Sequence, residues 1–149
     1  MVNSTGADQK VDFSGKLLPA VPRHRITAQA QVRPSEALDL GAQVEWQSIV
    51  YVETSNTREG TWYYLPEPGA PVQGVPFRAV PARALVHLSA AWRLGPATLF
   101  GNVENLFGLR YAGTLEANES FGSFYEAGPP AAISLGVRLS SFLPAPSSQ

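Results

Sequence analysis

The chain has 149 residues, 44% hydrophobic and 15% charged, with a net charge of −1 at neutral pH. A typical soluble domain is about a quarter charged, and a chain this poor in charge and this close to neutrality has no electrostatic basis for binding nucleic acid. With no cysteine there is no disulfide framework, thiolate metal site or thiol redox centre, and no run reaches the ~18 apolar residues of a membrane helix.

Residues 1–24 form a polar lead-in, with a short strand expected over residues 10–13, and Pro19 and Pro22 block a regular ladder. The opening MVNSTGADQKVDF lacks the basic start and apolar core of a signal peptide. The expectation is therefore either a cytoplasmic protein or a piece of a longer chain. The first clear strand is residues 25–32, where Ile26, Ala28, Ala30 and Val32 alternate with Arg25, Thr27, Gln29 and Gln31. After a turn over residues 33–37, residues 38–52 alternate as the longest strand, with Leu40, Ala42, Val44, Trp46, Val50 and Val52 on one parity. Residues 53–81 read as a long connection without strands, rich in proline and holding the Trp62-Tyr63-Tyr64 cluster. Residues 83–94 and 97–104, joined by Gly95-Pro96, make an antiparallel hairpin: Val86, Leu88, Trp92, Leu99 and Val103 share one face, and Ser89, Asn102 and Glu104 the other. A second long connection, residues 105–130, precedes a fifth strand at 131–139, in which Ile133, Leu135 and Val137 oppose Ser134 and Arg138. Residues 140–149 read as a tail.

These five strands predict an all-β, antiparallel, up-and-down meander over residues 25–139. Links after the first and third strands are short, whereas those after the second and fourth are long. Bacterial membrane barrels alternate brief periplasmic turns and long extracellular loops in this way, with strands of ~9 to 11 residues, an outward apolar face and a polar lumen. A soluble antiparallel sandwich with one solvated face, serving as a β binding or interaction module, shows the same alternation.

The run Val103-Glu104-Asn105-Leu106-Phe107-Gly108-Leu109-Arg110-Tyr111 resembles the "v-x-N-L-F-[DN]-x-x-Y" segment near the carboxyl end of TonB-dependent outer-membrane receptors. Gly15-Lys16-Leu17-Leu18-Pro19-Ala20-Val21-Pro22-Arg23-His24 resembles the "G-x-x-L-P-x-V-P-x-h" before a late barrel strand of that family, and residues 129–139 resemble its terminal strand. The three matches fall in family order; the departures are Gly108 in place of Asp or Asn and the extra residues after the last strand. The resemblance implies a partial, carboxyl-terminal segment of a large outer-membrane β-barrel with about five transmembrane strands. It implies a bacterial outer-membrane location and uptake of a ferric siderophore or another scarce nutrient. Its partners would be outer-membrane lipid, the remaining strands, the plug domain and the TonB energy-coupling system. Five strands cannot close a barrel whose smallest examples have about 8 and plugged transporters about 22, so transport by this chain alone is not expected.

No set of residues is spaced for catalysis, for a cofactor or for a metal, and an enzyme is not expected; His24 and His87 read as solvated or lumen-facing. Gln43, Glu45, Asn102, Glu104 and Arg138 are the candidate lumen-facing residues. Trp62, Tyr63, Tyr64, Phe121 and Tyr125 are the candidate ligand-facing loop aromatics, with packing of one loop on another as the alternative role.

Overall fold

The computed structural model describes residues 12–118 and 122–140, and over them the chain is all-β and antiparallel. Its strands are β1 Arg25–Ser35, β2 Leu38–Gln47, β3 Glu59–Tyr64, β4 Gln73–Arg78, β5 Arg83–Leu94, β6 Ala97–Glu104, β7 Ala112–Asn118, β8 Gly122–Ala127 and β9 Ala132–Leu139. Five of them form one sheet in the order β1-β2-β5-β6-β9, while β3–β4 and β7–β8 are separate two-stranded ribbons.

The period-two patterning decides the register, because directly opposed residues of an antiparallel ladder point to the same side. Trp46 pairs with Ile26 and Ala84, Leu88 with Ala42 and Val103, and Val103 with Ile133. Trp92 pairs with Leu38 and Leu99, and Leu99 with Val137. The expected apolar set thus runs unbroken across all five strands. On the other side Gln43 pairs with Gln29 and His87, and Asn102 with Ser89 and Ser134. Trp46 and Glu45, adjacent in the chain, therefore lie on opposite faces.

No second layer covers the apolar face among the described residues. Ile133 is 74% and Leu135 85% exposed, and Val32, Val44, Trp92 and Leu139 are also open. The small core is elsewhere, in Val50, Val52, Phe77, Ala79, Val80 and Leu85, where the connection between β2 and β5 folds back at one rim. That rim carries both long connections. Among the described residues the opposite rim carries the two-residue turns Glu36-Ala37 and Gly95-Pro96 and the end of β9.

Several expectations are corrected. The connections over residues 53–81 and 105–130 are not structureless, since each contains a hairpin, and the described chain has nine strands where about five were expected. Only the main sheet matches that number. Proline and glycine interrupt the hydrophobic alternation in these segments, which hides strands that Thr61, Trp62, Tyr63 and Tyr64 favour by β-propensity. The second strand ends at Gln47 rather than 52 and is shorter than β5. Beyond Gln47 the Ser48 N–H donates to His24 O at 2.9 Å, and Val50 exchanges two bonds with Val80 at 2.9 and 3.0 Å, so the chain leaves the ladder although its parity continues. β1 runs through Pro34 to Ser35 by a bulge after Val32, which accommodates a residue with no N–H to donate. The last strand starts at Ala132. Asp12 and Phe13 form no strand, whereas Lys10, Val11 and residues 141–149 of the expected tail lie outside the described residues.

Candidate functional site at the polar face and the loop rim

Each polar residue of the sheet is placed by its parity, and four of the five expected lumen residues share one trough. Gln43, Glu45, Asn102 and Glu104 line it together with Gln29, His87 and Ser89. Gln43 Nε2 donates to Glu45 Oε1 at 2.6 Å, and Asn102 Nδ2 to Ser134 Oγ at 3.5 Å. Arg138 is not part of the trough. It pairs with Thr98 near the short turns, at the far end of the same face. There the largely buried Asp39 takes Arg33 at 2.6 Å and also pairs with Arg93, while Arg93 donates to Glu36 O at 2.8 Å.

His87 links this face to the loop rim. Its Nδ1 accepts the Asn105 N–H at 3.4 Å, which leaves the ring proton on Nε2, a buried atom with no partner among the described residues. His24 stands apart, with its backbone paired to Ser48. No three His, Cys, Asp or Glu side chains among the described residues are grouped to hold a metal ion.

Sequence reasoning missed the centre of the rim. Asn105 is 3% exposed and has a positive φ of 47°, a conformation that asparagine tolerates better than other side-chain-bearing residues. Its Nδ2 donates to Leu109 O at 2.9 Å and Pro129 O at 3.1 Å, and its Oδ1 accepts the Leu109 N–H at 2.9 Å. One side chain thereby closes the turn after β6 and ties it to the start of β9. Tyr111, at the end of the same motif, lies under the Arg83 guanidinium at 4.1 Å and against Gly128, where an added Cβ would sit 2.0 Å from the ring. Both residues lie within the Asn105-to-Tyr111 motif, which was the one signal for them. Asn56 had no such signal: its amide accepts the Leu17 N–H at 2.6 Å and donates to Leu17 O at 3.0 Å, stapling the lead-in to the rim.

The loop aromatics divide by role. Trp62 stacks on Phe77, with ring centroids 4.7 Å apart, and its Nε1 donates to Glu53 Oε2 at 3.4 Å. Burial raises the Glu53 carboxyl, but hydrogen bonds from Ser55, Thr57 and Trp62 outweigh it and hold the group below the usual carboxylate range. Tyr64 donates its hydroxyl to Gln73 Oε1 at 3.0 Å. The Tyr125 hydroxyl bonds the Arg78 backbone, accepting its N–H at 3.2 Å and donating to its carbonyl, and so fastens one hairpin to the other. Tyr125 thus packs one loop on the other, whereas Trp62 and Tyr64 are occupied within their own connection. Tyr63, at 70% exposed, faces solvent, and Phe121 lies outside the described residues.

Comparison of the sequence with protein families, with curated proteins and with solved structures finds no match.

Proposed function

We propose that the chain is the carboxyl-terminal barrel segment of a TonB-dependent outer-membrane receptor that takes up a ferric siderophore or another scarce nutrient. The observation that carries this reading is the uncovered apolar face, bounded at its two rims by tryptophan. Trp46 pairs with Ala84 on β5, and Trp92 lies eight residues further along that strand. At ~3.3 Å per residue this is about 26 Å along the strand. A tilt of 35–45° reduces it to roughly 20 Å, close to the ~25 Å apolar band that aromatic girdles flank in outer-membrane barrels. A water-soluble sheet would leave this whole five-stranded surface wet, whereas monomeric soluble proteins rarely expose one contiguous apolar patch larger than a few hundred Å².

The polar trough then faces the lumen and the plug, the short turns face the periplasm, and the hairpins β3–β4 and β7–β8 stand in the extracellular loops. β1 and β9 each have one neighbour in the sheet and run in the same direction. In hydrocarbon an open edge costs several kcal/mol for each unpaired group. An all-antiparallel closure therefore needs an odd number of further strands, which makes the total even, as in bacterial barrels. Those strands, the plug and the coupling to TonB belong to the rest of the receptor, so the five-stranded segment alone does not transport.

The chain lacks cysteine, so single cysteines at Leu88, Leu135, Gln43 and Ser134 can each carry a spin label. In lipid bicelles, labels at Leu88 and Leu135 are expected to be reached by oxygen and shielded from a polar nickel chelate, with the reverse at Gln43 and Ser134. A monodisperse monomer in detergent-free buffer, with all four labels open to the chelate, would refute the membrane reading in favour of the soluble module.

A further inference from the structure

The apolar face does not end at Trp46. With Ile49, Pro81 and Ala82, Trp46 forms the apolar part of a recess of about 600 Å³ that also includes Arg58, Arg78 and Glu59. Arg78 pairs with Glu59 at 3.5 Å, but both side chains are more than 70% exposed, and an ion pair of that kind contributes little. Arg58 has no carboxylate partner among the described residues. Two arginines, one unpaired with a carboxylate and one held only by a weak ion pair, thus line the recess beside the tryptophan that marks the edge of the apolar band.

We infer that this recess binds the phosphate headgroup of an anionic lipid on the outer side of the barrel wall. The inference rests on the outer-membrane reading and adds a ligand to a surface that reading leaves without one. Guanidinium matches phosphate oxygens in two-pronged geometry. The indole of Trp46 suits the boundary between headgroups and acyl chains, where tryptophan concentrates. A free anion would gain nothing from the apolar floor, whereas a lipid uses both parts, its phosphate on Arg58 and Arg78 and its chain on the apolar face below Trp46. Basic pockets beside a membrane surface recognise lipid headgroups by this chemistry.

The test uses the full chain with Trp62→Phe and Trp92→Phe, leaving Trp46 as the only one of its three tryptophans. It is placed in zwitterionic micelles containing phosphatidylglycerol or phosphatidylcholine with brominated acyl chains, which quench indole fluorescence on contact. Both lipids are expected to quench Trp46, phosphatidylglycerol at an about 25-fold lower mole fraction. Arg58→Gln and Arg78→Gln should each reduce that preference about fivefold, and together remove it. Lysine at both positions keeps most of it, and Arg138→Gln, near the opposite rim, leaves it unchanged. Equal quenching by the two lipids, or a preference that survives the double glutamine variant, overturns the headgroup site and leaves the membrane reading standing. Displacement of the lipid by inorganic phosphate overturns it in favour of a free-anion site. Absence of quenching by either lipid overturns the membrane reading and the site with it.

Discussion

Replacing Asn105 with alanine is expected to loosen the rim by about 4 kcal/mol. Three side-chain hydrogen bonds are lost, to Leu109 O, Leu109 N–H and Pro129 O. At ~1 kcal/mol net for each, they account for about 3 kcal/mol. The positive φ of 47° adds about 1 kcal/mol, because alanine is strained in a conformation that asparagine accepts. Asn105→Gly separates the two parts, since it removes the bonds without the strain and should lose only the first. The assay is amide hydrogen exchange in detergent, read at Gly108 and Leu106. Their N–H groups donate to Asn105 O and Val86 O, both at 2.8 Å, and these acceptors survive the substitution. A loss of 4 kcal/mol corresponds to nearly a thousandfold faster exchange, because each 1.4 kcal/mol is tenfold. If the two amides exchange at the wild-type rate in Asn105→Ala, the residue does not organise this turn. If alanine and glycine have equal effects, the conformational part of the argument fails.

Two further outcomes follow from the same structure. The Glu53 carboxyl is held below its ordinary value, so its support for the Trp62 loop is fully present above the unfolded pKa and is lost as the pH falls through the folded one; Trp62 emission should change on that acid limb, and Glu53→Gln should abolish the transition, whereas an unchanged titration would refute it. Gly136 lies under the Phe100 ring, and an added Cβ would sit 2.4 Å from its Cζ; Gly136→Ala should destabilise the pairing of β6 with β9 by about 1 to 3 kcal/mol in thermal unfolding, with Phe100→Leu restoring most of it and the absence of rescue counting against ring overlap as the cause.

Much of the main sheet was legible because its determinants are local. Period-two patterning marks a strand from its own residues, and short turns at Glu36-Ala37 and Gly95-Pro96 leave little freedom in how neighbours align. The parity of Trp46 and Glu45 thus already separated the faces. Patterning failed where a local signal continued past a change of partner: Val50 and Val52 keep the parity of β2, yet Val50 bonds Val80 and leaves the ladder. It failed again in the connections, where Pro76 and Gly74 break the alternation of a strand that pairing with β3 nonetheless holds in place.

The site divides along the same line. Alternation states which face a side chain takes, so Gln43, Glu45, Asn102 and Glu104 could be assigned to the polar side without coordinates, and their convergence in one trough followed from register. Composition could gather the loop aromatics but not tell the occupied from the free. Trp62 is taken by Phe77 and Glu53, and Tyr125 by Arg78, whereas Tyr63 remains open. Asn105 reaches Pro129 and Asn56 reaches Leu17 across tens of intervening residues. The strands and faces of the main sheet could be read from the chain alone, because these depend on neighbours one or two residues away. Tertiary structure alone decided which polar groups and rings are occupied, because a hydrogen bond or a stacked pair requires a partner that only the folded chain brings within reach.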